Sequence, residues 1–144
     1  MSPNIQITQK SDAWDMSFLH PGLRWQFSVN DGVTNSNGLS CGYLQLDPGA
    51  ELPLHYHKEQ EIYIITQGNA ELLTGEHTVR AVSAGDTVYI PEHSWHGIKN
   101  ISQLLVEFIW VFPTDTWQEV QYMFADDRFN HADAPCDALR SMPQ

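Results

Sequence analysis

His55-Tyr56-His57-Lys58-Glu59-Gln60-Glu61-Ile62-Tyr63 is the stretch on which the reading of this chain turns. Successive side chains on a strand point to opposite faces, so on one strand His55 and His57 face the same way, and on the next so do Glu61 and Tyr63. With Lys58-Glu59-Gln60 as the turn between them, two imidazoles and a carboxylate come within reach of one point. Such ligands leave open positions on a divalent metal, and His96, which follows a second Gly-strand-Pro segment, is placed to supply a fourth.

Working outward from that stretch, short apolar or alternating runs are separated by Gly, Pro, Asn and Asp. The candidate strands are 23–29, 39–46, 52–57, 61–66, 70–73, 78–82, 87–90, 96–99 and 104–112. Many short strands at this spacing, with no helical pattern of 10–15 residues between them, indicate an antiparallel sandwich or barrel. Asp47-Pro48-Gly49, Gln67-Gly68-Asn69, Thr74-Gly75-Glu76 and Ala84-Gly85-Asp86 supply the turn chemistry. Helix is expected only at the ends, as one or two turns in Ser11–Phe18 and in a loose C-terminal segment. The boundaries follow: residues 1–22 form an N-terminal extension, 23–125 the β-barrel and 126–144 a tail.

The 144 residues carry 18 acidic groups against 7 Lys and Arg, a formal charge of -11. That balance opposes nucleic-acid binding and docking on anionic membranes, both of which need a basic footprint. No stretch reads as a signal peptide or a membrane span, so a cytoplasmic protein acting on a small molecule is expected. Cys41 and Cys136 are far apart and form neither a disulfide framework nor a thiolate zinc site. Of the seven histidines, His20, His77, His93 and His131 lack a comparable context and read as solvated or turn residues, with His93 nearest to being an exception. Arg24 and Lys99 read as exposed or structural cations, although a substrate carboxylate could use them.

The spacing Gly49-x5-His55-x-His57-x3-Glu61-x6-Gly68 resembles the first motif of the cupin superfamily, and Gly85-x5-Pro91-x4-His96-x3-Asn100 resembles the second. His93 stands where those proteins usually have glycine, which puts the local turn in question but not the ligands. The resemblance implies an all-β fold, a double-stranded β-helix or jelly-roll barrel. It also implies a homodimer, with His55, His57, Glu61 and His96 holding one divalent transition metal ion. Iron, manganese, nickel and zinc all suit these ligands.

Longer stretches narrow the likeness. Pro21-Gly22-Leu23-Arg24-Trp25, Leu54-His55-Tyr56-His57, Gly85-Asp86-Thr87-Val88-Tyr89-Ile90, Phe112-Pro113-Thr114-Asp115 and Glu119-Val120-Gln121-Tyr122 resemble the small cupin lyases that cleave dimethylsulfoniopropionate. That likeness implies β-elimination to dimethyl sulfide and acrylate, with Tyr63 as the base and Tyr122 as a second pocket tyrosine. A phenol beside a cation loses its proton well below its reference pKa of ~10. A sulfonium group is best held on aromatic faces, for which Trp25, Phe108 and Trp110 are the candidates. Phe112 shares the face of Phe108 and Trp110, while Trp14 and Trp117 read as packing or dimer-surface residues. Another metal-dependent cupin enzyme, a dioxygenase or isomerase of a small organic acid, would use the same ligands without a tyrosine base. A non-catalytic small-molecule-binding cupin is the third reading.

Overall fold

The computed structural model describes residues 4–75 and 78–130, and it is built from strands. In chain order these are β1 (Asp15–Met16), β2 (Leu23–Val29), β3 (Ser40–Leu46), β4 (Glu51–Tyr56), β5 (Glu61–Gln67) and β6 (Asn69–Thr74). Then follow β7 (Val79–Ser83), β8 (Thr87–Ile90), β9 (His96–Lys99), β10 (Val106–Phe112) and β11 (Met123–Phe124). A six-stranded sheet runs β1-β2-β3-β10-β5-β8 and faces a five-stranded sheet, β11-β4-β9-β6-β7, every pairing antiparallel. The expected all-β jelly-roll architecture is present, and each of the nine strands expected from sequence is found.

The helix expected at the N-terminal end is not. Among the described residues there is no α-helix, only single 3-10 turns at Trp117–Glu119 and Asp127–Phe129. Ser11–Phe18 is extended instead, with Asp15 and Met16 paired to Trp25 and Arg24. The reason is tertiary: the Gln26 side chain accepts from Ser11 N–H and donates to Ser11 C=O, tying the segment to β2. The tail from residue 131 onward, with His131 and Cys136, lies outside the described residues, as does His77. Among the described residues no helix is long and apolar enough to cross a membrane.

Directly opposed residues on paired strands share a face, so the registers fix what lines the space between the sheets. One inner row runs Phe27, Gly42, Trp110, Tyr63, Val88 across the six-stranded sheet. Facing it, Phe124, His55, His96 and Thr74 run across the five-stranded sheet. The core is therefore aromatic on one wall and carries imidazoles on the other. Gly42 is required by the first row: a Cβ there would lie 2.2 Å from the Gln26 carbonyl oxygen and 2.6 Å from the Trp110 ring. Gly42→Ala is expected to cost about 3 kcal/mol, roughly 10 °C in Tm by thermal unfolding.

His20 departs from the solvated histidine expected of it. It is 5 % exposed, packed edge-on to Phe129 at 4.6 Å between ring centroids and near Phe124. Burial lowers its pKa to about 4. The unfolded chain then binds a proton, near pH 6.5, that the folded one refuses, so stability is full above that pH and declines as pH falls toward 4. The loss reaches about 3 kcal/mol at most, and His20→Phe is expected to flatten it in urea melts taken across that range.

Candidate metal centre and aromatic interior

Three imidazoles converge between the sheets. His55 is the last residue but one of β4, His57 opens the turn beyond it and His96 begins β9; all three are buried, and their candidate ligand nitrogens lie within 4.8 Å of one another. Two local features aim them. Between Leu52 and His55 the register of β4 against β9 slips by one residue, a bulge at Pro53-Leu54. Strict alternation would give Leu52 and His55 opposite faces; the bulge turns both inward. Gly97, beside His96, lets the strands approach, since a Cβ there would lie 2.8 Å from the Leu52 carbonyl oxygen.

Each ring is also fixed in tautomer. Nδ1 of His55 lies 2.8 Å from the Pro53 carbonyl, Nδ1 of His57 2.9 Å from that of Glu59, and Nδ1 of His96 2.8 Å from that of Ser94. A carbonyl oxygen only accepts, so every Nδ1 carries the hydrogen and every Nε2 of a neutral ring presents a lone pair. The bulge thus supplies, at Pro53, the acceptor that orients His55.

The Glu61 carboxylate closes the group, with Oε1 3.2 Å from Nε2 of both His57 and His96. Lone pairs facing a carboxylate require a proton or a cation between them. Burial drives the His55 pKa well below the ordinary value, and the neighbouring His96 and His57 drive it further. At His57 burial pulls the same way, but the hydrogen bond and charge of Glu61 outweigh it and raise the pKa. Burial opposes ionisation of Glu61, yet its bonds to His57 and His96 keep its pKa below the usual carboxylate value. His55 Nε2 has no hydrogen-bond partner. Three converging imidazole nitrogens fit a divalent transition ion, with the Glu61 carboxylate beside two of them.

The remaining sequence candidates surround this group unequally. Tyr63 lies opposite Trp110 and Val88, fully buried, its ring 6.0 Å from that of His96 and 4.3 Å from Phe108. Its hydroxyl has no partner. Burial first, then the Glu61 charge and Tyr122, hold its pKa well above 10, against the expectation of an acidified phenol. Tyr122 stacks on His55 at 4.7 Å and 13° and accepts a hydrogen bond from the Trp117 indole at 2.8 Å. Trp25 and Trp110 both pack against Trp117, a core residue that brings the aromatic wall to Tyr122. Arg24 is held outside by Asp47 at 2.7 Å, and Lys99 lies on the outer face between Glu51 and Glu71.

His93 is exposed and offers the cluster only its backbone. Its φ is 60°, the left-handed region that explains why glycine is usual there, and its N–H donates to the His57 carbonyl at 2.9 Å. The turn is therefore kept, and it ties the two motifs together. Phe112, on the face of Phe108 and Trp110, packs its ring 5.1 Å from His57. Sequence reasoning missed one neighbour of the cluster: Glu59, assigned to the turn, is buried with Oε1 unpartnered. For Glu59 the available signal was its place between two inward residues.

Residues 42–112 match the family model for the cupin domain. An uncharacterized protein of Streptomyces coelicolor is 30 % identical over 93 residues, covering 60 % of this chain and 88 % of that protein. The dimethylsulfoniopropionate lyase DddW of Ruegeria pomeroyi is 24 % identical over 102 residues, 71 % of this chain, which spans 66 % of the lyase's length. Among solved structures, the polyketide cyclase RemF of Streptomyces resistomycificus superposes with a TM-score of 0.71 at 13 % identity, over 95 % of this chain and 92 % of that one. At that identity the likeness speaks for the fold.

Proposed function

Because the chain belongs to the cupin family, we propose that it is a metal-dependent carbon–sulfur lyase that cleaves dimethylsulfoniopropionate, with His55, His57, Glu61 and His96 as the metal ligands. The observation that carries this reading is a set of buried polar atoms without protein partners at the junction of the two walls: His55 Nε2, the Tyr63 hydroxyl and Trp110 Nε1. Each costs about 1–3 kcal/mol if left unsatisfied, so their presence in one aromatic interior supports a small polar ligand there. The similarity to a lyase of that substrate supports the choice of ligand.

A divalent ion held by the cluster supplies a Lewis acid for the substrate carboxylate, stabilising the charge that builds when the adjacent carbon loses its proton. The protein's own part is positional. Trp110, Trp25 and Phe108 offer faces for the sulfonium end, about 0.5–2 kcal/mol each when desolvated. Tyr63 takes the proton from the carbon next to the carboxylate. The C–H electron pair becomes the C=C bond of acrylate, and the C–S pair leaves on sulfur as dimethyl sulfide. For this, the charge that the phenol faces must turn from the negative of Glu61 to net positive.

A second reading is favoured by the same phenol. Held protonated, Tyr63 is a hydrogen-bond donor, the role it would fill in another cupin enzyme acting on a small organic acid. Headspace gas chromatography separates the two: protein reconstituted with iron(II), manganese(II), nickel(II) or zinc(II) is expected to release dimethyl sulfide above a metal-free control. No excess sulfide with any of these ions removes the lyase reading and leaves the second.

A further inference from the structure

The two sheets do not meet along one side. β7 is the last strand of the five-stranded sheet and β8 the last of the six-stranded one, and each leaves an edge unpaired among the described residues. Between them opens a cavity of about 620 Å³, lined by Leu72 and Thr74 of β6, Arg80 and Val82 of β7, Val88 of β8, and His96. The registers show where it leads: Val88 is directly opposite Tyr63, and Thr74 directly opposite His96. The cavity therefore reaches His96, one member of the histidine cluster, and runs beside the strand that carries the phenol.

Arg80 is directly opposite Leu72, which is buried in the core beside Ile98, so Arg80 stands on the inner face of its strand. It lies two strands over from His96, about 10 Å sideways at standard strand spacing. The other described cations are placed differently: Lys10, Arg24 and Arg128 are ion-paired to Glu107, Asp47 and Asp126, Lys99 faces outward, and Lys58 is exposed in the turn between β4 and β5. On a chain of charge -11, Arg80 is, among the described residues, the one cation lining the seam; it offsets the Asp86 carboxylate that lines the same cavity and offers an approaching carboxylate a cationic partner.

We propose that small anionic ligands reach the histidine cluster sideways, through the seam between β7 and β8, and that Arg80 draws their carboxylate in. The proposal rests on the cluster being a metal centre for a small carboxylate and names its entrance and charge selectivity. An inward charge on an edge strand also blunts strand addition, and the test separates that role.

The protein is loaded with cobalt(II), and binding of azide, or of imidazole at about pH 8.5 where it is neutral, is followed through the cobalt absorption in stopped flow. Arg80→Gln is expected to slow azide association about tenfold at low salt, to flatten its salt dependence and to leave imidazole unchanged. Arg80→Lys restores the azide rate, and Lys99→Gln, which removes the same charge from the outer face, alters neither probe. Arg80→Trp, which fills the seam, slows both. Unchanged rates for both probes in Arg80→Trp overturn the route. Aggregation of Arg80→Gln with an unchanged azide rate assigns Arg80 to edge protection and overturns its role in attraction. These rates do not depend on turnover: seam-dependent azide binding without sulfide release removes the lyase reading and keeps the entrance, whereas sulfide release with seam-independent binding does the reverse.

Discussion

Tyr63→Phe is expected to lower dimethyl sulfide release by about 10²–10⁴-fold, the range that a positioned proton-transfer group contributes, with metal content and Tm close to those of the parent. The substitution deletes one oxygen from a buried ring whose hydroxyl bonds to nothing in the protein. A hydroxyl kept only for packing would make its removal neutral for turnover, and stabilising if anything, because a buried unsatisfied group is costly. Its ring contacts with Phe108 and His96 are retained by phenylalanine. Turnover at the parent rate would remove Tyr63 from the chemistry while leaving the cluster intact. The measurement pairs headspace sulfide with metal analysis of the same sample.

His96→Ala is expected to weaken metal binding by more than about 100-fold, beyond what loss of a partner outside the coordination sphere costs, and to abolish turnover with it. The loss has a second part that needs no metal. His96 shares Oε1 of Glu61 with His57, and the carboxylate is 3 % exposed. Removing one of its two partners leaves a buried charge half satisfied, about 1–3 kcal/mol of destabilisation by denaturant melts of the metal-free protein. His96→Gln restores a donor to Glu61 but not the imidazole, so it is expected to recover stability without recovering metal affinity. Recovery of both, measured by titration with zinc, would show that His96 does not bind the ion.

How much of this was legible in the sequence depends on what sets each feature. Strand placement depends on local patterning and turn chemistry, and β2, β8 and β9 fall where the sequence puts them. β1 and β11 have only two residues each, too few to make a pattern, and exist because longer neighbours capture them. The Ser11–Phe18 segment carries helix-start residues, yet Gln26, fifteen positions away, decides its conformation. At the site, ligand spacing was readable because His55, His57 and Glu61 lie on two consecutive strands and the short turn that carries the chain from one sheet to the other. The phenol was not: a charge argument from a cation alone omits burial, the largest influence on Tyr63. Arg80 was invisible for a different reason, since which face an edge strand turns inward is known only from its partner's register.

The bulge at Pro53-Leu54 absorbs an odd count of residues: Leu52 and His55 are three apart, and the extra residue lets both face inward. Removing one residue there would leave them two apart, on one face by plain alternation, so His55 would stay opposite His96 with no bulge needed. What the bulge adds is the Pro53 carbonyl beside Nδ1, which holds the ring in its tautomer and orientation. A shortened β4 is therefore expected to keep its ligand on the inner face while holding it less firmly, so length can vary at this point of such a barrel without a histidine being turned out of the centre.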